Sequence, residues 1–186
     1  MEFMGQSSMN KNYKECFERG DKYEDFVYPI FCKEWGVDLI PCKTPDEQIN
    51  IGENSFGVEI KYDSKSATLP NLFIEHEECH EIITMKNGKK EIDLTTFDKS
   101  GIYRIDNSYL YLIGNYNIFY IFLKKRLREL HSLGKYPERL GFSANFNATS
   151  KCFLLPQVEA KELALDVIYP PNQKQEEKPP HYEIHG

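Results

Sequence analysis

Glu59, Lys61 and Asp63 stand at alternate positions of the segment Gly57-Val58-Glu59-Ile60-Lys61-Tyr62-Asp63. On a β-strand, alternate side chains share a face. Val58, Ile60 and Tyr62 then form an apolar face fit for a core, and the three ionisable groups point the other way together. Ionised groups on such a strand are costly if buried and unpaired. They are either the solvated face of an edge strand, with Lys61 screening two carboxylates, or a metal site beside an ammonium. The second arrangement suits phosphodiester hydrolysis. Carboxylates hold a hard divalent cation such as Mg²⁺ or Mn²⁺ through oxygen. The cation polarises the phosphate and acidifies bound water. A Lys on the same face can position or deprotonate the attacking water and balance charge in the pentacovalent transition state.

The bare pattern acid-any-Lys carries little information here, because it also occurs at Asp63-Lys65, Glu159-Lys161 and Glu176-Lys178. Only the Glu59 copy sits mid-strand, follows turn chemistry at Asn54-Ser55-Phe56-Gly57 and has another acid just upstream. With that context, Gly57-Val58-Glu59-Ile60-Lys61 resembles the active-site strand of the PD-(D/E)XK nucleases, and is especially similar to the methyl-directed mismatch-repair endonuclease group. The resemblance covers roughly residues 20–80. It implies an α/β domain with a restriction-endonuclease-like core, a mixed β-sheet flanked by helices. It also implies a Mg²⁺- or Mn²⁺-dependent nuclease acting on nucleic acid, DNA rather than RNA, as an endonuclease that could pair as a homodimer. Glu59 and a preceding acid would hold the cation, Lys61 would serve the nucleophile, and Glu24 stands where the superfamily's N-terminal helix contributes a further Glu.

Two residues compete for the preceding acid. Pro45-Asp46 is the literal "PD", whereas Glu53 lies closer to Glu59 across a tight turn. In a hairpin turning at 54–57, Glu53 stays beside Glu59 and Asp46 would pair far along the strand. Glu53 is therefore preferred, and a longer or irregular turn would reverse the choice. Asp63 and Glu75 are secondary ligands; Glu75 closes an apolar strand, Leu72–Glu75, expected beside the motif strand. Substrate phosphates could meet Lys124, Lys125, Arg126 and Arg128 in a basic helical stretch, or Lys151 after a polar loop. Such contacts give affinity without sequence information, although basic residues near a helix C-terminus are favoured by the dipole alone. The rival reading is a non-catalytic nucleic-acid-binding or protein-interaction module on the same fold.

The rest of the chain must position this strand. Its 186 residues suit one domain, expected over residues 13–168, with a flexible leader at 1–12 and a Pro-rich, charged, disordered tail at 169–186. A net charge of −6 argues against a broadly basic nucleic-acid-binding surface but permits a local basic groove. Five scattered cysteines form no C-x-x-C pair, and with no apolar run long enough to span a bilayer they point to a reducing, cytoplasmic setting. Apolar spacing predicts helices over 13–35 (broken at Gly20-Asp21, with Pro29 in the second half), 118–133 and 158–168. Strands are expected at 37–41, at 49–53 paired with 58–62 in a hairpin, at 72–75, at 82–85 and 91–94 about Asn87-Gly88, and at 101–107, 109–113 and 151–155.

Overall fold

The computed structural model describes residues 11–42, 44, 47, 53–79, 85–86, 89–90, 97–142 and 148–171. Helix α1 (Lys11–Trp35) opens the fold. Tyr23, Val27 and Phe31, spaced for one helix face, are fully buried against Val58, Ile60, Leu110, Leu112, Phe119 and Ile121. The helix runs through Gly20 rather than breaking there. A mid-helix Gly costs roughly 1 kcal/mol relative to Ala, which burial of three large side chains outweighs at about 1.5–3 kcal/mol each. The helix also begins inside the stretch expected to be a flexible leader.

The strand under α1, β1 (Val58–Tyr62), is the edge of a four-stranded mixed sheet ordered β1-β6-β7-β10. It pairs in parallel with β6 (Leu110–Gly114); β6, β7 (Phe119–Leu123) and β10 (Asp166–Ile168) follow antiparallel. Of the expected hairpin partner, 49–53, only Glu53 falls within the described residues, and there the edge of β1 is met by side chains. Pro41 and Asn54 form an isolated bridge, in place of the strand expected at 37–41. The Asn54 amide then donates to the Val58 carbonyl at 2.6 Å and accepts from its N–H at 3.0 Å. The Glu53 carboxylate accepts from the Ile60 N–H at 3.2 Å. Two side chains thus take the place of a partner strand and fix Glu53 beside the motif. Ile49, Ile51 and Asp46 lie outside the described residues.

A second four-stranded sheet, antiparallel throughout, has the order β5-β2-β9-β8. It contains β2 (Asn71–Cys79), β5 (Phe97–Lys99), β8 (Glu138–Phe142) and β9 (Ala148–Pro156). The apolar strand ending in Glu75 is therefore part of β2 and belongs to the other sheet, not beside β1. Leu72, Ile74, Phe153 and Leu155 meet Tyr111, Ile113, Tyr120 and Phe122 in a core that includes Leu127 and Leu130 of α2 (Lys124–Ser132) and Ala160 of α3 (Gln157–Leu163). The short strands β3 (Met85–Lys86) and β4 (Lys89–Lys90) pair about Asn87-Gly88, which lie outside the described residues, as do 81–84 and 91–96.

Three further expectations are corrected. The 118–133 segment is strand β7 and then helix α2, because Phe119–Phe122 is buried on both faces and shows no alternation to read. The 158–168 segment is α3 followed by β10, the chain turning extended at Ala164. Residues 101–103 form a 3-10 turn rather than a strand; Gly101 adopts φ +49°, and an added Cβ would lie 2.3 Å from the Glu75 carbonyl. The protein is thus a single mixed α/β domain built on two four-stranded sheets, with the short β3–β4 pair and three α-helices among the described residues. None of them is long and apolar enough to cross a membrane. Of the expected tail, only Tyr169–Pro171 falls within the described residues.

Candidate active site

Alternation on β1 places its side chains as its sequence demands. Ile60 and Tyr62 face α1, and Glu59 and Lys61 face the second sheet. Glu59 is completely buried. Its two carboxylate oxygens lie 3.2 Å from the Lys61 Nζ and 2.5 Å from the Lys124 Nζ. Both oxygens are thus occupied by ammonium groups in ion pairs. Lys61 also lies 3.4 Å from Glu75 Oε1, and its side chain is 31% exposed. Burial works against the Lys61 ammonium, but Glu75 and Glu59 outweigh it and hold the amine firmly charged.

Lys124, one of the residues expected to meet substrate phosphates, is instead one of the most buried side chains in the protein. Its position follows from register. Glu59, Tyr111 and Phe122 are aligned across three strands, and Lys124 falls two residues after Phe122, on the same face. The chain passes from β7 into α2 with no loop, which turns Lys124 inward. There it also donates to the Ser108 hydroxyl at 2.5 Å and pairs with Asp106 at 3.4 Å. Burial opposes the Asp106 carboxylate, but the Ser108 hydroxyl and Lys124 prevail and hold it below its ordinary range.

Glu53 completes the cluster from the far side. Arg104 binds it at 2.8 Å and reaches Asp106 at 3.4 Å. Burial, and then the Glu59 charge, push the Glu53 carboxyl upward against Lys61 and Arg104. Glu24 of α1 stands within the same field. Burial raises it from 4.5 to about 7, with Glu53 adding to the shift and a hydrogen bond from Tyr28 opposing it. The network therefore runs Glu53–Arg104–Asp106–Lys124–Glu59–Lys61–Glu75, and ends where the Ser100 hydroxyl donates to Glu75 at 3.0 Å.

Lys61 and Glu75 reach a cleft of about 240 Å³ that is also lined by Lys65, Phe73, Tyr111 and Ser150. Asp63 borders the cleft with both oxygens occupied. One accepts from the Lys65 and Ser66 N–H groups and the other from the Phe73 N–H, at 3.1–3.2 Å. That carboxylate fastens the turn between β1 and β2. Of the expected phosphate contacts, Lys125 and Arg126 are exposed. Arg128 donates to the Ile102 carbonyl, and Lys151 pairs with Glu77 at 2.6 Å.

Arg104, Asp106, Ser108 and Ser100 were not singled out from sequence. Most of their partners lie on distant segments, 51 residues away for Arg104 and Glu53, where no local pattern links them. Asp106 and Ser108 do carry one signal, the Asx-type spacing that bonds Asp106 to the Ser108 N–H at 2.9 Å. Compared with known proteins, the chain matches no protein-family model, no curated protein and no solved structure.

Proposed function

We propose that the protein is a Mg²⁺- or Mn²⁺-dependent nuclease with a PD-(D/E)XK-like site, acting on DNA at the cleft beside Lys61. The observation that carries this reading is Glu59, a fully buried carboxylate on the motif strand, paired with a charged Lys61 that reaches the cleft and sharing one charge network with Glu53 and Glu75. Carboxylate oxygens suit a hard cation, which at Glu59 would share or displace the Lys61 and Lys124 ammoniums. Glu59 would hold the ion with Glu53 or Glu75. When bound, the cation supplies Lewis acidity toward the phosphate and acidifies water.

The remaining chemistry belongs to the protein. Lys61, held protonated by two carboxylates, is suited to donating a hydrogen bond and balancing charge on the phosphorane, not to abstracting a proton. Lys124 orients Glu59 through their 2.5 Å ion pair and does not line the cleft.

A second reading rests on Lys124. An ion pair at 2.5 Å, with both side chains at most 1% exposed, neutralises Glu59 without any cation, as a purely structural module would require. Cleavage of plasmid and linear DNA in Mg²⁺ and Mn²⁺ separates the two. Glu59→Gln and Lys61→Ala are expected to reduce the rate at least about a hundredfold, the scale on which one electrostatic group at such a site acts. Full activity in both variants would remove the assignment. Absence of cleavage together with absence of Mn²⁺ binding would favour the module.

A further inference from the structure

On the far side of β2 from Glu75, three side chains from three elements converge. His76 comes from β2, His131 from the last turn of α2 and Glu138 from the start of β8. Glu138 Oε1 lies 3.1 Å from His131 Nε2 and 3.8 Å from His76 Nε2, and all three ligating atoms lie within 4.8 Å of one another. His76 is 3% exposed, and its Nε2 has no hydrogen-bond partner. A buried polar nitrogen left unpaired is destabilising, so its retention among core side chains points to a partner that arrives from solution. The backbone shows how His76 reaches this place. The β2–β9 register shifts between Glu75 and Glu77, and a bulge of this kind re-aims the side chain within it.

We propose that His76, His131 and Glu138 bind a divalent transition-metal ion of the zinc type. Two imidazole nitrogens with one carboxylate is a donor set for Zn²⁺ rather than Mg²⁺. Ligand distances of about 2.0–2.2 Å put neighbouring donors of a tetrahedral ion roughly 3.4 Å apart, and the 3.1 and 3.8 Å separations from Glu138 bracket that value. The ring centroids of His76 and His131 are 4.2 Å apart, so the two imidazoles already stand side by side. His131 has its second partner in place, since its Nδ1 lies 2.9 Å from the Tyr103 hydroxyl. A hydroxyl can donate or accept, so Tyr103 supports whichever tautomer frees Nε2 for a metal. Glu138 is 61% exposed, which leaves an entry path and a solvent position for a fourth ligand. Such an ion would tie the end of α2 to the second sheet. This site shares no residue with the proposed nuclease centre and stands or falls without it.

The test uses the full chain, stripped with chelator and titrated with Zn²⁺ by calorimetry and with Co²⁺ by visible absorption. One equivalent is expected, with the intense d–d bands of tetrahedral Co²⁺ and a thermal midpoint raised by Zn²⁺ and not by Mg²⁺. His131→Ala should abolish the spectrum. Glu138→Gln, at an exposed position that does not threaten folding, should weaken binding by more than the roughly tenfold that loss of an outer partner costs. Tyr103→Phe should fall in that milder range. Absence of stoichiometric binding, or binding and Co²⁺ spectra unchanged in folded His131→Ala and Glu138→Gln, would overturn the proposal.

Discussion

At the scale of single residues, the site is a set of carboxylates whose charges are balanced unevenly. Glu59 has two lysines and Glu53 has one arginine, whereas among the described residues Glu24 has the Tyr28 hydroxyl at 3.3 Å and Lys61 only as a weaker, more distant charge. Glu24 is thus the member whose protonation should govern stability near neutral pH. Its folded value, about 7, lies above the ordinary 4.5, so the native state holds a proton that the unfolded chain has released. Between those values the native state binds more protons, and stability falls as pH rises through the window. Glu24→Gln should therefore be more stable than the parent at pH 8 in chelator, with the advantage gone at pH 4.5 and below. Urea unfolding at the two pH values reads this directly, and an equal effect at both would place the proton elsewhere. The Glu59–Lys61 pair was legible in sequence because strand alternation fixes both to one face. Lys124 was not, because a cation in a run of cations gives no sign of which member turns inward. That orientation is set by the β7–α2 junction and the register to β1, both long-range properties.

At the scale of elements, the motif strand was legible and its setting was not. The sequence predicts a hairpin partner for β1 at 49–53, mostly outside the described residues, and within them side chains of Glu53 and Asn54 bond the strand's outer edge. Period-two alternation reports which face of a strand is apolar; it does not report which chain segment supplies the next ladder of hydrogen bonds. Similarly, β7 reads as helix because a strand buried on both faces has no alternation, and short apolar runs are ambiguous between the two periods. The 3-10 turn at Gly101 is invisible for another reason, since its φ is required by contact with the β2 backbone at Glu75. Asn54 is the element-level keystone of the site. It is fully buried and carries both hydrogen bonds to Val58. Asn54→Ala should leave a buried N–H and carbonyl on the strand edge unpaired, at about 1–3 kcal/mol for each group that water cannot reach. It should also release Glu53 from its alignment with Ile60. A lowered urea midpoint accompanied by weaker Mn²⁺ binding is the expected pair of results. A variant as stable as the parent would show that the edge is satisfied by other means.

At the scale of the whole molecule, a net charge of −6 must be reconciled with a polyanionic substrate. Most cations near the site are already committed. Lys124 and Arg104 are spent on carboxylates, Arg128 on a backbone carbonyl and Lys151 on Glu77. Lys65 is different. It is exposed at the cleft, with its ammonium 5.2 Å from the Phe73 ring centroid, a flexible charge placed where a phosphate would enter. Lys61 offers its exposed third, and Lys125 and Arg126 lie outward on α2. An overall repulsive body with a few contact cations should bind DNA weakly and with a shallow dependence on salt. With two to four phosphates neutralised, a plot of log affinity against log salt should have a slope of roughly −2 to −4, far below that of a protein with a basic surface. The measurement is fluorescence anisotropy with labelled duplex DNA in Mg²⁺, using Lys61→Ala so that the carboxylates stay intact while cleavage is slowed. Adding Lys65→Ala should make the slope shallower by about one and weaken binding evenly across sequences, the behaviour of a phosphate contact rather than a base contact. If Lys65→Ala leaves the slope unchanged while Lys125→Ala and Arg126→Ala reduce it, the substrate lies along α2 instead of in the cleft. The Glu59–Lys61 face would then have to be approached from that side.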